Sequence, residues 1–389
     1  MKKRWLRKRR IGLGGLLLLL ALFKALAAQD PGLQLGAPFW SNGQVRLTLT
    51  GEAGVSYVIE SSPDLRNWAP VLTNSDPAIT RVIPVGAPDR QSFYRASRGL
   101  LPLFAFALAA RRGIDLKGNN VAIDSFDSAD PNYSTGGLYD PAKRKDNGDV
   151  VTDDTMVNSL TVGNGRIMGH ARTGLGTNTV SLGPVGAVGS KAWVQSGVQG
   201  IEPGWAADDL NISWPDAQLP FTGGAFTPSG GWITNVSTIG TNITYYDYIL
   251  GDGNYQVSNL SGSVYVQGDA VLLVTGSATS NSIVIANGKS LQFYNQAPRY
   301  SLSGALAVNA NGTAAQFAYY GLPGNTNVSV IISGGSVGTI YAPDAALSLG
   351  GGGNTTQVFV GAAIADTINL NGHFELHFDE DLIRNGPSR

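Results

Sequence analysis

From Ile114 onward one phrase keeps returning: an aliphatic residue, any residue, a second aliphatic residue, then glycine or Asn-Gly within a residue or two. It reads IDLKGNN at 114–120, LTVGNG at 160–165, VSLGPVG at 180–186, LSLGGGG at 347–353 and INLNGHF at 368–374. A period of two puts both aliphatic side chains on one face of a strand. The glycine or asparagine that follows supplies the positive φ of a tight corner. Strands this short cannot bury their faces alone, so they must stack on neighbours of the same kind. Two copies align at greater length, GTIYAPDAALSLGG (338–351) on GAAIADTINLNG (361–372), at an offset near 22 residues with one deletion. Gly338 then pairs with Gly361, Ala342 with Ala365, Asp344 with Asp366 and Leu349 with Leu370. Between 263 and 335 come SVYVQG, VLLVTG, SIVIANG, ALAVNANG and VSVIISGG, equally short and apolar. Residues 114–382 are therefore expected to form a parallel, right-handed β-solenoid, followed by a C-terminal tail, 383–389. A helix is expected nowhere except around 206–213.

The rest of the chain divides by composition. MKKRWLRKRR carries seven basic residues and no acid, an apolar run follows from Ile11 to Phe23, and Ala25-Leu26-Ala27 gives a small-x-small cleavage pattern. In order and length this predicts a secretory signal peptide over 1–28, with membrane contact only if that leader stays uncleaved. Residues 1–28 hold eight of the 27 basic groups and none of the 28 acidic ones, so the remainder carries nineteen against twenty-eight, a net charge of −9. A chain of that sign has no basic stripe to neutralise phosphates, and nucleic acid is excluded as a partner. Only 14% of residues are charged, glycine reaches 51 and cysteine is absent, which excludes disorder, a disulfide framework and a thiolate metal site.

Residues 29–97 read as a small β-sandwich of short strands: VRLTLTG (45–51), with Val45, Leu47 and Leu49 on one face, then SYVIESS (56–62) and QSFYRAS (91–97). The connecting segment RGLLPLFAFALAARRG (98–113), broken by Pro102, reads as a first strand or capping element that starts the next domain, too short to span a bilayer.

Three groups of residues have the composition of a site. The Asp-rich run 124–154 offers Asp124, Asp127 and Asp130 as oxygen donors for a structural calcium ion, although their spacing matches no known calcium loop; the alternative is a polar loop with Asp and Asn capping its turns. GIEPGWAADDLNISWPD (200–216) sets Glu202, Asp208, Asp209 and Asp216 among Trp205 and Trp214. Acids beside aromatic platforms are what a glycosidase or polysaccharide lyase needs, with Glu202, Asp208 and Asp209 catalytic and the tryptophans binding sugar. Adjacent aspartates in a strand point to opposite faces, however, and a loop packing its tryptophans is the simpler reading. Finally, HFELHFDED (373–381) places His373, Glu375, His377 and Asp379 on one face of a strand. The histidines would stand roughly 13 Å apart at about 3.3 Å per residue, too far to share an ion. The expectation is a terminal strand, its apolar face (Phe374, Leu376, Phe378) on the last rung and its polar face in water. His170 is isolated, and no G-x-S-x-G or P-loop occurs.

Two resemblances add to this. Leu49, Thr50, Gly51, Ala53, Gly54, Tyr57, Val58, Ile59, Glu60, Ser62, Asp64, Leu65, Asn67 and Trp68, closed by Phe93 to Ala96, resemble the signature of a fibronectin-like module of bacterial secreted proteins; that implies a spacer or binding module without catalysis. Residues 119–150, 338–353 and 360–382 are similar to segments of bacterial exported proteins with pilus-assembly or polymer-forming surface functions, on the matches Gly338 to Pro343, Ala345, His377, Asp379, Glu380 and Leu382. Phe378 stands where tyrosine is usual, and the pilin-like N-terminal helix of some relatives is missing. The resemblance implies a β-helical envelope or surface domain. The function expected is structural or adhesive, without catalysis or an obligatory cofactor, toward a cell-surface polymer, polysaccharide or envelope protein. A carbohydrate-active β-helix enzyme is the alternative, and a pilus-associated component a further one.

Overall fold

The computed structural model describes residues 34–387 with short internal stretches omitted, the longest being 51–56, 63–68 and 87–92. The expected leader, 1–28, lies outside the described residues, as do Gly51, Ala53, Gly54, Asp64, Leu65, Asn67 and Trp68 of the first module's signature. The chain is all-β and falls into two compact units; the first runs to Ser97, apart from Ala53–Val58 and Thr73–Pro77, which group with the second unit, Arg98–Arg389.

The first unit holds two small sheets. Gln44–Thr50 pairs antiparallel with Gln34–Leu35, Phe39–Ser41 and Thr80–Gly86, and Tyr57–Ser62 lies between Ala69–Asn74 and Phe93–Arg98. Leu47 and Leu49 are buried, as the alternation of that strand requires, and so is Ile59 of the other sheet. Arg95 and Glu60 form an ion pair of 2.6 Å across the second sheet.

The second unit is dominated by one large network of 23 strands whose registers run parallel, the exception being the hairpin of Ser229–Ser237 with Gly240–Leu250. From Gly240 to Ile332 each strand pairs with the next but one along the chain. Columns of side chains result. One runs in register through Tyr255, Leu272, Phe293, Tyr319, Ile340, Ala363, Leu108, Val150, Ala171 and Ala206. Another runs through Leu260, Ala278, Tyr300, Val328, Leu347, Ile368, Ile114, Leu160 and Val180. A third joins Phe359, Leu376, Ile123, Ile167 and Val188. All five copies of the recurring phrase fall in the second column, one on top of the next. The buried members join one core cluster. Its tyrosines keep their hydroxyls satisfied: Tyr319 donates to Asn325 and accepts from Asn295, and Tyr300 meets Ser280 at 2.8 Å.

The order of the columns is not the order of the chain. Leu108–Asp115 is the first strand of the network, as one reading of 98–113 has it, and it lies in the interior between Gln357–Leu370 on one side and Val150–Thr152 with Leu160–Gly163 on the other rather than capping an end. Phe374–Asp379, expected as the last strand, lies between Gln357–Val360 and Ala122–Phe126. The C-terminal strands are thus covered by N-terminal ones, and the two ends of the unit meet along a seam inside the network. The repeat 338–349 on 361–370 holds, but its offset falls from 23 at Gly338–Gly361 to 21 at Leu349–Leu370; two residues, not one, are absorbed between Ala342 and Ala346. Residues 206–210 form a strand, and the short helices are Lys191–Gln195 and Leu382–Asn385.

Candidate functional site

The seam carries the chain's densest polar cluster among the described residues. Parallel pairing puts His377 beside Asp124 and Asp379 beside Phe126. Phe374, Leu376 and Phe378 are buried as alternation requires, yet the opposite face is buried too: His377 is 3% exposed, Asp379 2% and Glu380 6%. The terminal-strand reading therefore fails on this face. What covers it is the loop after Phe126, whose groups meet each buried charge. His377 Nδ1 lies 2.6 Å from Asp124 Oδ1, and its Nε2 lies 3.7 Å from Glu375 Oε2. The Tyr139 ring stacks on the imidazole at 3.5 Å and donates its hydroxyl to Asp124 Oδ2 at 2.7 Å. Arg144 approaches the same oxygen at 3.5 Å.

One step along, Glu380 accepts from Ser125 Oγ at 2.8 Å and Asn147 Nδ2 at 2.9 Å, and it pairs with Lys145. Arg384, on the short C-terminal helix, bonds Asp127 at 2.5 Å and Asp381 at 3.1 Å. Charges this deep persist only when paired, and His377 and Glu380 each have a partner of opposite charge from the other end of the unit.

The electrostatics follow from these contacts. Burial by itself would lower the His377 pKa, but the carboxylates of Asp124 and Glu375 outweigh it and hold the imidazole above its ordinary 6.5. Glu375 is held below its ordinary value by His377. Burial raises Asp379 and Tyr139. A raised histidine stabilises the fold fully below its unfolded pKa, and that stabilisation is lost as pH rises through the folded one. The charged form of Asp379 costs stability in the same direction. The lowered Glu375 acts oppositely, adding stability above about pH 4.5 that fades as pH falls through its folded value. The thermal midpoint is expected to fall from about pH 6.5 upward, and His377→Gln should flatten that limb. An unchanged slope in the variant would show that the seam does not titrate through His377.

Asp124, Asp127 and Asp130 do not converge: Asp124 serves His377, Tyr139 and Arg144, Asp127 serves Arg384 and the Ala129 amide, and Asp130 caps the Asn132 amide. Among the described residues no group of three or more histidine or acidic side chains has the arrangement of a metal site. Asp124, Asp127 and Asp130 serve instead in seam pairs and turn capping in this structure. Glu202 accepts from the Ser190 amide at 2.6 Å, at the start of the helix Lys191–Gln195, and Asp208 is exposed; the Asp209 side chain lies outside the description. Trp205 stacks on His170 at 4.4 Å, whose Nδ1 is 3.1 Å from Asp149, and Trp214 is 5% exposed. Neither indole offers two open faces to a sugar. Asp216 binds Arg111 at 3.1 Å. Arg111 also pairs with Asp344, and Arg112 pairs with Asp366, so the two repeat-related aspartates take two consecutive arginines of Leu108–Asp115.

Tyr139, Arg144, Lys145, Asn147 and Arg384 belong to no motif of the sequence. The stretches 119–150 and 360–382 supply the two strands that meet at the seam.

An all-β unit with a parallel network and a buried charged seam is the class these observations define. A family model described as a domain of unknown function (DUF7305) matches residues 232–385. Its span ends on the seam strand and the helix after it, and leaves out Ala122–Phe126, which covers that strand. No curated protein and no solved structure matches the chain.

Proposed function

We propose that this chain is an exported structural or adhesive protein of the cell envelope or surface, without catalytic activity. In this reading the parallel network is a right-handed β-solenoid and the two small sheets are a fibronectin-like sandwich serving as a spacer. The columns described above support the solenoid, since stacking of equivalent positions at short intervals is how a solenoid buries its interior.

The observation that carries the adhesive role is the hairpin Ser229–Leu250. Among the described residues, Ser229–Ser237 pairs only with Gly240–Leu250. Register places Trp232 opposite Tyr245 and Thr234 opposite Ile243, so all four share one face. Trp232 is 69% exposed, Ile243 57% and Tyr245 49%, and the two rings meet edge to face at 5.2 Å. An exposed apolar face of aromatic residues beside a free sheet edge is contact-making chemistry, suited to a polymer or another protein. It contains no acid–base pair.

The test incubates the full chain with insoluble envelope polysaccharide and with neutral glucans, scoring retention and then release of reducing ends. Retention without release is expected. Trp232→Ala should leave the thermal midpoint nearly unchanged, within about 0.5 kcal/mol, and weaken retention about tenfold or more. Release of reducing ends would establish the enzymatic alternative, and equal retention by the variant would remove the hairpin from the binding surface.

A further inference from the structure

Beside the seam lies a pocket of about 240 Å³ that the polar network does not fill. Its walls, among the described residues, are mostly apolar: Phe126, Leu138, Tyr139, Val337 and Val360. Thr313 is polar, and the charged member is Asp379, which belongs to the wall although the residue is only 2% exposed. One carboxyl oxygen accepts from the Ser128 amide at 3.0 Å and the Asp381 amide at 3.1 Å. The Ser128 hydroxyl donates to the carboxyl as well, and no cation interacts with it. A carboxylate this deep is costly without a counter-charge.

The nearby cations do not supply one, because each is held elsewhere. Lys145 is on Glu380, Arg384 on Asp127 and Asp381, Arg144 on Asp124, and Lys143 on the carbonyls of Pro131 and Ser134. No cation among the described residues is therefore left for Asp379, and the open pocket beside it leaves room for one from outside the chain. Asp379 is the charged group of the described wall, so an anion is disfavoured. The volume is below the roughly 300–1,000 Å³ of sites for drug-sized ligands, which selects a small occupant.

We propose that this pocket binds a primary alkylammonium group, its hydrocarbon stem between Phe126, Tyr139 and Leu138 and its ammonium on Asp379. The group could belong to a free amine or to a lysine side chain of another chain, and the chemistry of capture is the same. This inference does not depend on the structural or adhesive role proposed above.

The experiment titrates the full chain by calorimetry with n-pentylamine, with N-acetyl-lysine methylamide and with 1-pentanol as the uncharged control. Saturable binding of at least one amine, with the alcohol at least about tenfold weaker, is expected. If pentylamine alone binds, the source is a free amine; if the lysine derivative binds, a protein side chain is accommodated. Asp379→Asn keeps an acceptor for both amides and removes the charge, and should weaken the amine about tenfold or more while leaving the alcohol unchanged. Leu138→Trp, at a 43% exposed position where folding is not at risk, should close the pocket and abolish binding. Failure of both amines to bind, alcohol binding as tight as amine, or amine affinity unmoved in both variants overturns the proposal.

Discussion

Gly361→Val is expected to abolish cooperative unfolding of the second unit, a loss of at least about 4 kcal/mol. Gly361 has φ of 138°, a region that side-chain-bearing residues rarely enter. It lies directly against Gly338 in the parallel pair, and a Cβ there would overlap the Gly338 carbonyl oxygen and reach within 2.9 Å of its carbon. Neither neighbour is a flexible side-chain tip, so relief requires separating two backbones. Gly361 lies on the strand Gln357–Leu370, which also pairs with Leu108–Asp115, so strain there disturbs the network in its middle. Gly223→Ala is the matched control, because a Cβ at Gly223 meets nothing within 4 Å. Denaturant unfolding followed by circular dichroism reads both. A Gly361→Val protein within about 1 kcal/mol of the parent would show that the two rungs do not approach as closely as described.

His377→Ala should cost about 3–5 kcal/mol, the usual result of removing one partner from a buried ion pair. The substitution strands Asp124, itself 3% exposed, and leaves the Tyr139 ring without the imidazole it stacks on. Loosening this cluster frees the loop after Phe126 from the C-terminal strand, so proteolysis within 127–147 should accelerate along with the loss of stability. Asp124→Asn is expected to cost less, since an amide still hydrogen-bonds both partners. A double-mutant cycle on His377 and Asp124 separates the pair from its surroundings, and a coupling below about 0.5 kcal/mol would mean that the seam is held by the apolar column alone.

Much of the fold can be read along the chain. Alternating aliphatics ended by glycine or asparagine announce short stacked strands, and five such phrases do share one column. The repeat around Gly338 and Gly361 aligns on residue identity alone, because two glycines are needed where the backbones touch. The second deleted residue escapes that alignment for a local reason: the bulge between Ala342 and Ala346 sits at a corner, where no periodicity constrains the count. The helix expected near 206–213 failed because strand pairing of Ala206 and Ala207 with Ala171 and Arg172 overrode local composition.

The candidate site is legible only in part. HFELHFDED reads as a strand with one polar and one apolar face, and that alternation is correct. Whether the polar face meets water or protein is not written in it, because period two assigns residues to faces and says nothing of what lies opposite. Asp124 lies 253 residues from His377, and no local pattern spans that distance.

The residues by themselves settle the strand content, the parallel stacking, the faces and the glycine corners, since all of these are local stereochemistry. Tertiary folding alone settles the order of the stack and the burial of the seam. The N-terminal strands dock on the C-terminal ones because each end exposes an apolar column and charges that only the other end can cover and neutralise.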